Sequence, residues 1–371
     1  MGVRWYGKGA YDRGIGTTET IKAKRLFRAH EGDFVFNRID TQKGAFDVVP
    51  ADLHGALATN EFPLYMADLS QLSERFLLLY FQQPSVLAQI DAVRAGSEGR
   101  SRWKESDFEA WRIPLPPRAE QRRIIDLMAA VDAQIEALDE ESQRAWDTWR
   151  AAVANLDQYD DRLLLAEGLH AIEAGKSPKG QERVPGPDER AVLKISAVGR
   201  ARFIPTEVKT VDAGTALPES TKVQLGDVLL VRCNAVLDRV GTVCRVNEVP
   251  HNLYLCDKTL RLVTDDRVLL PNYLVHAMAT PSVRHQIARL TAGSDMRNIG
   301  QKALRQLAVP DPGADAQTVL GAALDDLSSE ALAVESELSH LRAFRSALLT
   351  SLLNQEIAIP NSYDRLLEGV S

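Results

Sequence analysis

The chain has 371 residues, of which 45% are hydrophobic and 26% are charged, and its formal net charge is −7 at pH 7. This length is too great for one ordinary core and suits two domains, while the composition excludes an intrinsically disordered chain. No stretch approaches about 18 uninterrupted apolar residues, and the basic N-terminal segment has no apolar signal core. We therefore expect a cytoplasmic protein that neither spans a membrane nor is secreted.

The cysteines, the histidines and the distribution of charge exclude further classes. Cys233, Cys244 and Cys256 are an odd number without CxxC spacing, and the seven histidines are scattered, so we predict no disulfide framework and no metal site. Acidic charge is concentrated in residues 113–156, with 5 basic and 8 acidic side chains, and in residues 313–371, with 3 and 9. Because the rest of the chain is locally balanced or basic, a DNA-binding surface is compatible with the negative net charge.

Residues 1–112 are predicted to form a first mixed α/β domain. Its opening segment, residues 4–11, combines cations and aromatic rings with glycines, which suits either DNA contact or a core position. Residues 34–36 predict a strand, and residues 72–81 and 84–93 predict a pair of short helices. A Gly-Ser loop bearing arginines follows at residues 96–102.

A proline-rich hinge then leads into a long helix within residues 113–156. Apolar residues from Ile124 to Leu156 recur at alternating spacings of four and three, which is a heptad seam, and the same seam recurs from Leu320 to Leu352 within residues 309–355. Each helix is predicted to run about 35 residues, or about 50 Å. The two are expected to pack antiparallel as a coiled coil that separates the globular domains.

The second globular domain is predicted over residues 157–308, and residues 356–371 form a tail. Strands are expected at residues 192–195, 227–231, 241–246 and 259–263, and helices at residues 272–279 and 282–290. This domain has an N-terminal portion, residues 163–193, that has no counterpart in the first. Since the tail repeats the sequence of residues 161–169, we hypothesise that it folds back to complete the first domain. A misplaced start codon or a reduced first domain remains an alternative.

An internal two-fold repeat organises these segments into an α/β, or α+β, architecture. Residues 31–38 align with residues 225–232 at an offset of 194, residues 84–90 with 281–287 at an offset of 197, and the hinges and helices at an offset of 196. Arg38 and Arg232 therefore occupy equivalent positions, as do Arg100 and Arg297. Loops of different length on a shared scaffold are typical of specificity determinants.

Side chains in these loops that can contact bases or phosphates are the candidate DNA ligands. They are Arg4, Tyr6, Lys8, Arg38, Lys43, Arg100, Arg102, Lys176, Lys179, Arg232, Asn234, Arg239, Arg297 and Asn298. For Arg38 and Arg232, a salt bridge inside the fold is an equally good interpretation. On the helices, the aromatic residues Trp146, Trp149 and Phe344 are candidate contacts for another subunit.

The hinge and first helix carry a family resemblance. The run from Trp111 to Ile125, WRIPLPPRAEQRRII, followed by a heptad helix through residues 135–138, resembles the specificity (S) subunit of type I restriction-modification systems. The resemblance covers nearly the whole chain, including a degenerate second copy at residues 307–341. It implies a non-catalytic protein with two target-recognition domains, each of which recognises half of a split, asymmetric DNA target.

The same resemblance implies partners and cofactors. The long helices are expected to set the spacing of the two half-sites and to dock methyltransferase (M) subunits, to which restriction (R) subunits are added. S-adenosylmethionine, ATP and Mg are expected on those partners, with no cofactor bound by this chain. These expectations make the chain part of a phage-defence complex.

Two other classes of function remain open. A protein-interaction scaffold, or a decayed specificity subunit that no longer recognises DNA, is consistent with the acidic charge and the short first domain. An autonomous nuclease or methyltransferase is disfavoured, because the sequence has no methyltransferase or nuclease motif. The segment Ala174-Gly-Lys-Ser177 is not a phosphate-binding loop, since the first glycine of that motif is replaced by His170.

Overall fold

The computed structural model describes residues 1–14, 23, 25–93, 102–249, 252–293 and 296–365. The chain divides into two compact units. Unit 1 consists of Met1–Ala137 and Leu338–Ser371, and unit 2 consists of Leu138–Glu337. Among the described residues, no helix is both long enough and apolar enough to cross a membrane.

Unit 1 is a mixed α/β unit with short strands. Its strands are β1 (Gly2–Val3), β2 (Ala10–Tyr11), β3 (Phe27–Arg28), β4 (Phe34–Phe36), β5 (Phe46–Val48), β6 (Leu57–Ala58) and β7 (Leu64–Tyr65). Its helices are α1 (Glu74–Phe81), α2 (Pro84–Val93), α3 (Glu105–Glu109) and the first part of the long helix α4 (Arg118–Asn155). The last part of a second long helix, residues 338–353, also belongs to it.

Aromatic side chains form the core of unit 1. The central strand β4 is flanked by β5 and β7, and Phe34 and Phe36 on β4 are fully buried. Their rings contact Phe46 and Phe81, which come from β5 and α1. Because aromatic rings bury large apolar areas, this small sheet is held chiefly by packing against α1.

The two long-helix segments of unit 1 pack against this core and run in opposite directions. Arg345 donates from Nη2 to Asp132 Oδ2 (2.8 Å), while Arg123, earlier in α4, donates to both carboxylate oxygens of Asp364, later in the chain (2.8 and 3.0 Å). Apolar residues of both segments join the aromatic core of unit 1, namely Ile124, Met128, Leu349, Leu352 and Leu353. Within unit 1, the predicted antiparallel pairing of the helices is confirmed.

Unit 2 contains the remaining elements. Its strands are β8 (Arg162–Leu164), β9 (Leu169–Ala174), β10 (Gly180–Gln181), β11 (Ala191–Leu193), β12 (Val208–Val211), β13 (Val228–Val231), β14 (Cys233–Asn234), β15 (Val243–Arg245), β16 (Leu253–Tyr254), β17 (Thr259–Thr264), β18 (Arg297–Asn298) and β19 (Ala308–Pro310). Its helices are α5 (Leu165–Gly168), α6 (Pro271–Ala277), α7 (Pro281–Leu290), α8 (Gln301–Leu304), the end of α4 and the start of α9 (Ala314–Leu353).

Two four-stranded sheets and two apolar clusters build unit 2. One sheet has the order β10-β12-β11-β16 and the other has the order β15-β13-β17-β9. Every residue of β13 is buried, because Leu229 and Val231 face one cluster while Val228 and Leu230 face the other. The second cluster also contains Trp149 of α4 and Leu324 of α9, so both long-helix segments are anchored to the sheet.

Strand pairing reproduces the predicted repeat residue by residue. In unit 1, Phe34 pairs with Val48 and with Tyr65. In unit 2, the equivalent Val228 pairs with Arg245 and with Leu262, so the order β5-β4-β7 corresponds to β15-β13-β17. Strand β9 at the edge of the unit 2 sheet has no counterpart among the described residues of unit 1.

The predicted helices are confirmed, and two predicted strands are displaced by two residues at one end. The long helices span 38 and 40 residues. The strand expected at residues 192–195 ends at Leu193, because Ile195–Ala197 forms a 3-10 turn. The strand expected at residues 241–246 begins at Val243, because Gly241 adopts a φ of 74° in a turn that returns the chain to Val231.

Candidate nucleic-acid interface

In unit 2, two loops that are distant in sequence form a short antiparallel ladder at the end of the sheet. Cys233 pairs with Asn298, and Asn234 pairs with Arg297. We call these four residues the unit 2 ladder. It forms because β14 follows directly on β13, and the backbone N–H of the buried Ile299 donates to the carbonyl of Arg232 between them (3.1 Å). Since cross-strand partners share a face, the ladder places the Asn234 amide beside the Arg297 guanidinium on one face and Asn298 beside Cys233 on the other.

Unit 1 has the equivalent arrangement. Ile39 and Arg102 form an antiparallel bridge, at positions that correspond to Cys233 and Asn298. The backbone N–H of the buried Trp103 donates to the carbonyl of Arg38 (3.0 Å), as the backbone N–H of Ile299 does to Arg232. We call Ile39 and Arg102 the unit 1 bridge. Arg100, a predicted DNA ligand two residues before Arg102 in the sequence, lies outside the described residues.

Arg38 and Arg232, predicted from the repeat, are both anchored to the protein. Arg38 Nη1 lies 3.1 Å from Glu105 Oε1, and the side chain is only 17% exposed. Arg232 donates from Nη1 to the carbonyl of Asp257 (3.4 Å). In both arginines the Nε atom is buried and has no hydrogen-bond partner among the described residues. This placement favours the structural interpretation of the pair and leaves surface contacts to their neighbours.

The ladder differs chemically between the units. In unit 1, Arg102 forms an ion pair with Glu61 (2.8 Å). In the part of unit 2 that the structure describes, Arg297 makes no ion pair, and Asn298 is exposed. Burial raises the pKa of the neighbouring Cys233 thiol, against the opposing effect of Lys258 and Arg232, so this thiol remains neutral. Unit 1 therefore presents a partly neutralised surface and unit 2 an uncompensated guanidinium.

The N-terminal candidates pack beside the loop that carries Lys43. Tyr6 donates its N–H to the carbonyl of Lys43 (2.6 Å), and the ammonium of Lys43 lies 4.3 Å from the ring centroid of Trp5. Arg4 lies over the ring of Tyr11 at 4.2 Å. Lys8 and the Tyr6 side chain are exposed. The structure thus brings the predicted N-terminal residues and Lys43 together, with Tyr6 and Lys8 facing outward.

Lys176 and Lys179 lie on an exposed loop close to the unit 2 ladder. Gly175 donates its N–H to the carbonyl of Cys256 (3.0 Å), and a Cβ at this glycine would lie 1.8 Å from the carbonyl oxygen of Leu255. Only glycine permits so close an approach of the two backbones. The loop is held further by a hydrogen bond between the side chains of Ser177 and Asp257, the residue whose carbonyl binds Arg232.

Of the three predicted subunit contacts, only Phe344 is well exposed. Phe344 is 54% exposed, and Trp146 is half-buried with its ring 5.5 Å from that of Trp149. Trp149 is only 3% exposed, and its Nε1–H donates to Nδ1 of His276 (3.2 Å). This disagrees with a role for Trp149 in subunit contact, because its indole is buried in the core of unit 2 and cannot reach another subunit. Its place on the heptad seam was the signal for burial.

Sequence reasoning missed several charged residues that the fold gathers around these sites. Glu61 and Glu105, which pair with arginines in unit 1, carry no motif. Arg239, a predicted ligand, donates from Nη2 to the carbonyl of Val198 (3.0 Å) and thereby lies near Arg200, which was not predicted. Since these groups come from separate segments, spacing along the chain gives no signal for them. Among the described residues, no group of three or more potential ligands is placed to hold a metal ion.

Comparison with known proteins gives a consistent result. Residues 5–144 match the family described as type I restriction modification DNA specificity domain. The chain is 24% identical over 272 residues to the type I restriction enzyme EcoKI specificity subunit of Escherichia coli strain K12. That alignment covers 67% of this chain and 58% of the relative.

Two solved structures share the fold. The S subunit of a type I restriction-modification system from M. genitalium aligns with a TM-score of 0.55 and 17% identity over 91% of each chain. A chain from a structure concerned with complex assembly and conformational transition of the type I system aligns with a TM-score of 0.52 and 18% identity, covering 89% of this chain and 84% of that one.

Proposed function

We propose that the chain is a specificity subunit of a type I restriction-modification system and that it recognises a bipartite, asymmetric sequence in double-stranded DNA. One observation carries this proposal. Two loops meet at the end of the sheet in each unit in the same way, while the side chains they present differ, as in the unit 1 bridge and the unit 2 ladder.

The chemistry of the ladder suits base recognition. Arginine binds the O6 and N7 edge of guanine, and asparagine binds the N6 and N7 edge of adenine, each with two hydrogen bonds. In unit 2, Asn234 and Arg297 supply these groups as cross-strand partners on one face of the ladder, and the backbone pairing fixes their spacing. In unit 1, Ile39 and Arg102 occupy the positions of Cys233 and Asn298, and Glu61, which pairs with Arg102, is an acceptor suited to cytosine. Different groups on equivalent scaffolds would recognise different half-sites.

We assign the two recognition functions to residues 1–112 and 157–308, joined by residues 113–156 and 309–355. The tail, residues 356–371, would complete the first recognition domain. In support, its described part lies in unit 1, where Asp364 is bound by Arg123. The long helices would set the distance between half-sites and dock methyltransferase (M) subunits through their acidic outer faces and the exposed Phe344.

In this proposal the chain is not itself a catalyst. Methylation and cleavage would be carried out by M subunits and by restriction (R) subunits that join through the complex. S-adenosylmethionine, ATP and Mg would be bound by those partners. The chain would supply sequence recognition to the reaction, because the relevant base contacts are made by its two units.

The test uses the full chain assembled with its methyltransferase. Genome-wide mapping of methylated adenines gives the target for the wild type and for two variants, Arg297→Gln and Asn234→Ala. Each lost base contact costs about 1–3 kcal/mol of discrimination, so the variants should relax one half-site and leave the other unchanged. The control is Arg267→Gln, which removes an exposed arginine beyond the opposite end of β17. Equal weakening of both half-sites, or an unaltered motif, would contradict the proposal.

A further inference from the structure

Four arginines of unit 2 come together beside the unit 2 ladder, although they belong to separate segments. Arg239 donates from Nη2 to the carbonyl of Val198 (3.0 Å), which joins the turn at residues 237–240 to the turn at residues 198–200. Arg284 of α7 donates from Nη1 to the carbonyl of Val240 (2.8 Å) and from Nη2 to that of Asp238 (2.9 Å). Main-chain carbonyls thus fix these two guanidinium groups. We call Arg150, Arg200, Arg239 and Arg284 the arginine cluster.

Arg200 differs from Arg239 and Arg284 in that its guanidinium makes no hydrogen bond to a main-chain carbonyl of the described residues. Its guanidinium carbon lies 5.5 Å from the ring centroid of Trp146, and the side chain is exposed. Arg150, one helical turn after Trp146, is paired with Asp147. Within the part of the chain that the structure describes, Arg200, Arg239 and Arg284 make no ion pair. A cation–π contact with an indole orients a guanidinium without using its N–H donors, and those of Arg200 make no hydrogen bond to any described residue, so they are available for a ligand.

The electrostatics of the arginine cluster also favour an anion. Although Arg200 is exposed, neighbouring groups displace part of its hydration and thereby lower its pKa, and Arg150 and Arg239 lower it further, against the opposing effects of Glu335 and Asp238. Burial likewise lowers the pKa of Arg284, with Arg200 adding to the effect and Asp238 opposing it. Like charges held close together at a partly buried site raise the free energy of the unliganded protein. A bound anion would remove that penalty.

We propose that the arginine cluster binds a backbone phosphate of the DNA next to the bases contacted by unit 2. This inference rests on the proposed function and adds a contact that is independent of sequence. The supporting geometry is that one short segment, residues 233–240, carries both Asn234 of the ladder and Arg239 of the cluster. Phosphate contacts fix the register of a protein on DNA, while base contacts specify the sequence. A guanidinium is suited to a phosphate, since it donates two parallel hydrogen bonds.

The experiment compares Arg200→Gln with two matched variants in the full chain, each assembled with its methyltransferase. Arg200→Lys keeps the charge, and Arg267→Gln removes one exposed charge elsewhere. Arg267 is 84% exposed and follows the end of β17. Arg232 lies at the other end of that strand, where its backbone N–H donates to the carbonyl of Lys258. The affinity of each complex is measured by fluorescence anisotropy for a duplex containing the mapped target and for one with the same bases scrambled, between about 50 and 200 mM KCl.

We expect Arg200→Gln to weaken both duplexes by the same factor. Loss of one phosphate contact reduces the slope of log K against log salt by about 0.9, which is a roughly five- to tenfold loss at about 0.1 M salt. Arg200→Lys should recover most of the affinity, and Arg267→Gln should match the wild type.

Other outcomes separate the two proposals. Wild-type affinity and salt slope in Arg200→Gln would overturn the phosphate site while leaving sequence recognition intact. A loss of affinity confined to the target duplex would make Arg200 a base contact. If Arg200→Gln instead fails to assemble with the methyltransferase, while the complexes that do form bind DNA normally, the arginine cluster is a protein-docking surface. Either result overturns the inference. If the wild type binds both duplexes equally but Arg200→Gln weakens both, the phosphate site stands and the proposed sequence recognition fails.

Discussion

A buried chain of hydrogen bonds in unit 2 gives the sharpest prediction about stability. Trp149 donates from Nε1 to Nδ1 of His276 (3.2 Å), and the other ring nitrogen, Nε2, lies 2.9 Å from Asp325 Oδ1. Since Nδ1 accepts a hydrogen bond, Nε2 must carry the proton and donate to the carboxylate. His276 is 0% exposed. The three residues come from α4, α6 and α9, so the chain joins both long-helix segments to the globular part of unit 2.

Replacing Trp149 with phenylalanine removes the donor while keeping an aromatic ring. The His276 Nδ1 atom is then buried without a partner, which costs about 1–3 kcal/mol. The smaller ring also leaves a void in the apolar cluster around Trp149, which adds about 1 kcal/mol. We expect the free energy of unfolding of unit 2 to fall by about 2–4 kcal/mol, and its melting temperature by roughly 4–16 °C.

The assay is urea and thermal unfolding of the full chain, followed by circular dichroism. Trp146→Phe is the matched control, because this tryptophan lies on the same helix and its indole nitrogen makes no hydrogen bond to any described residue. It should cost clearly less than Trp149→Phe. In a double-mutant cycle with His276→Leu, the coupling energy should be about 1 kcal/mol or more. Equal costs for the two tryptophans, together with additive effects in the cycle, would refute the reasoning.

Three further predictions follow from individual contacts. Burial raises the pKa of Asp325, but the hydrogen bonds from His276 and Asn272 and the charge of Arg245 outweigh it and hold the pKa below its ordinary value of 3.8. The stability that Asp325 contributes is therefore complete above that value and is lost as the pH falls through the lower folded-state pKa, so Asp325→Asn should flatten the acid limb of a stability–pH curve. Asp364→Asn removes the carboxylate held by Arg123, and we expect faster proteolytic cleavage of the tail than in the wild type, as seen by mass spectrometry. Burial raises the pKa of Cys244 to about 12, so iodoacetamide at about pH 8 should leave this thiol unmodified in the native protein and modify it after denaturation.

Periodicity and repetition made most of the fold predictable from the sequence. A seam from Ile124 to Leu156 is a local pattern, and the helix it indicates is found at Arg118–Asn155. The offsets of 194 and 197 between the repeats reappear in the strand register, where Phe34 pairs with Val48 and Val228 with Arg245. Such features follow from residues that are close in sequence or duplicated within it.

The candidate site was only partly predictable, since its chemistry depends on contacts between distant segments. The repeat correctly paired the loops around Arg38 and Arg232, but it could not show that Glu105 pairs with the first of these arginines. Trp149 was predicted as a subunit contact from its residue type, whereas its position on the seam determines its burial against His276. Arg200 carried no signal, because its neighbours in the arginine cluster come from three other segments.

The central claim is that each unit recognises its own half of one DNA target. The most direct measurement is to co-express the chain with the methyltransferase encoded beside it, purify the complex, and map methylated adenines across the genome of the expressing cells. We expect one split, asymmetric motif with two different half-sites. A palindromic motif, a single half-site, or a complex that methylates no defined sequence would contradict the claim.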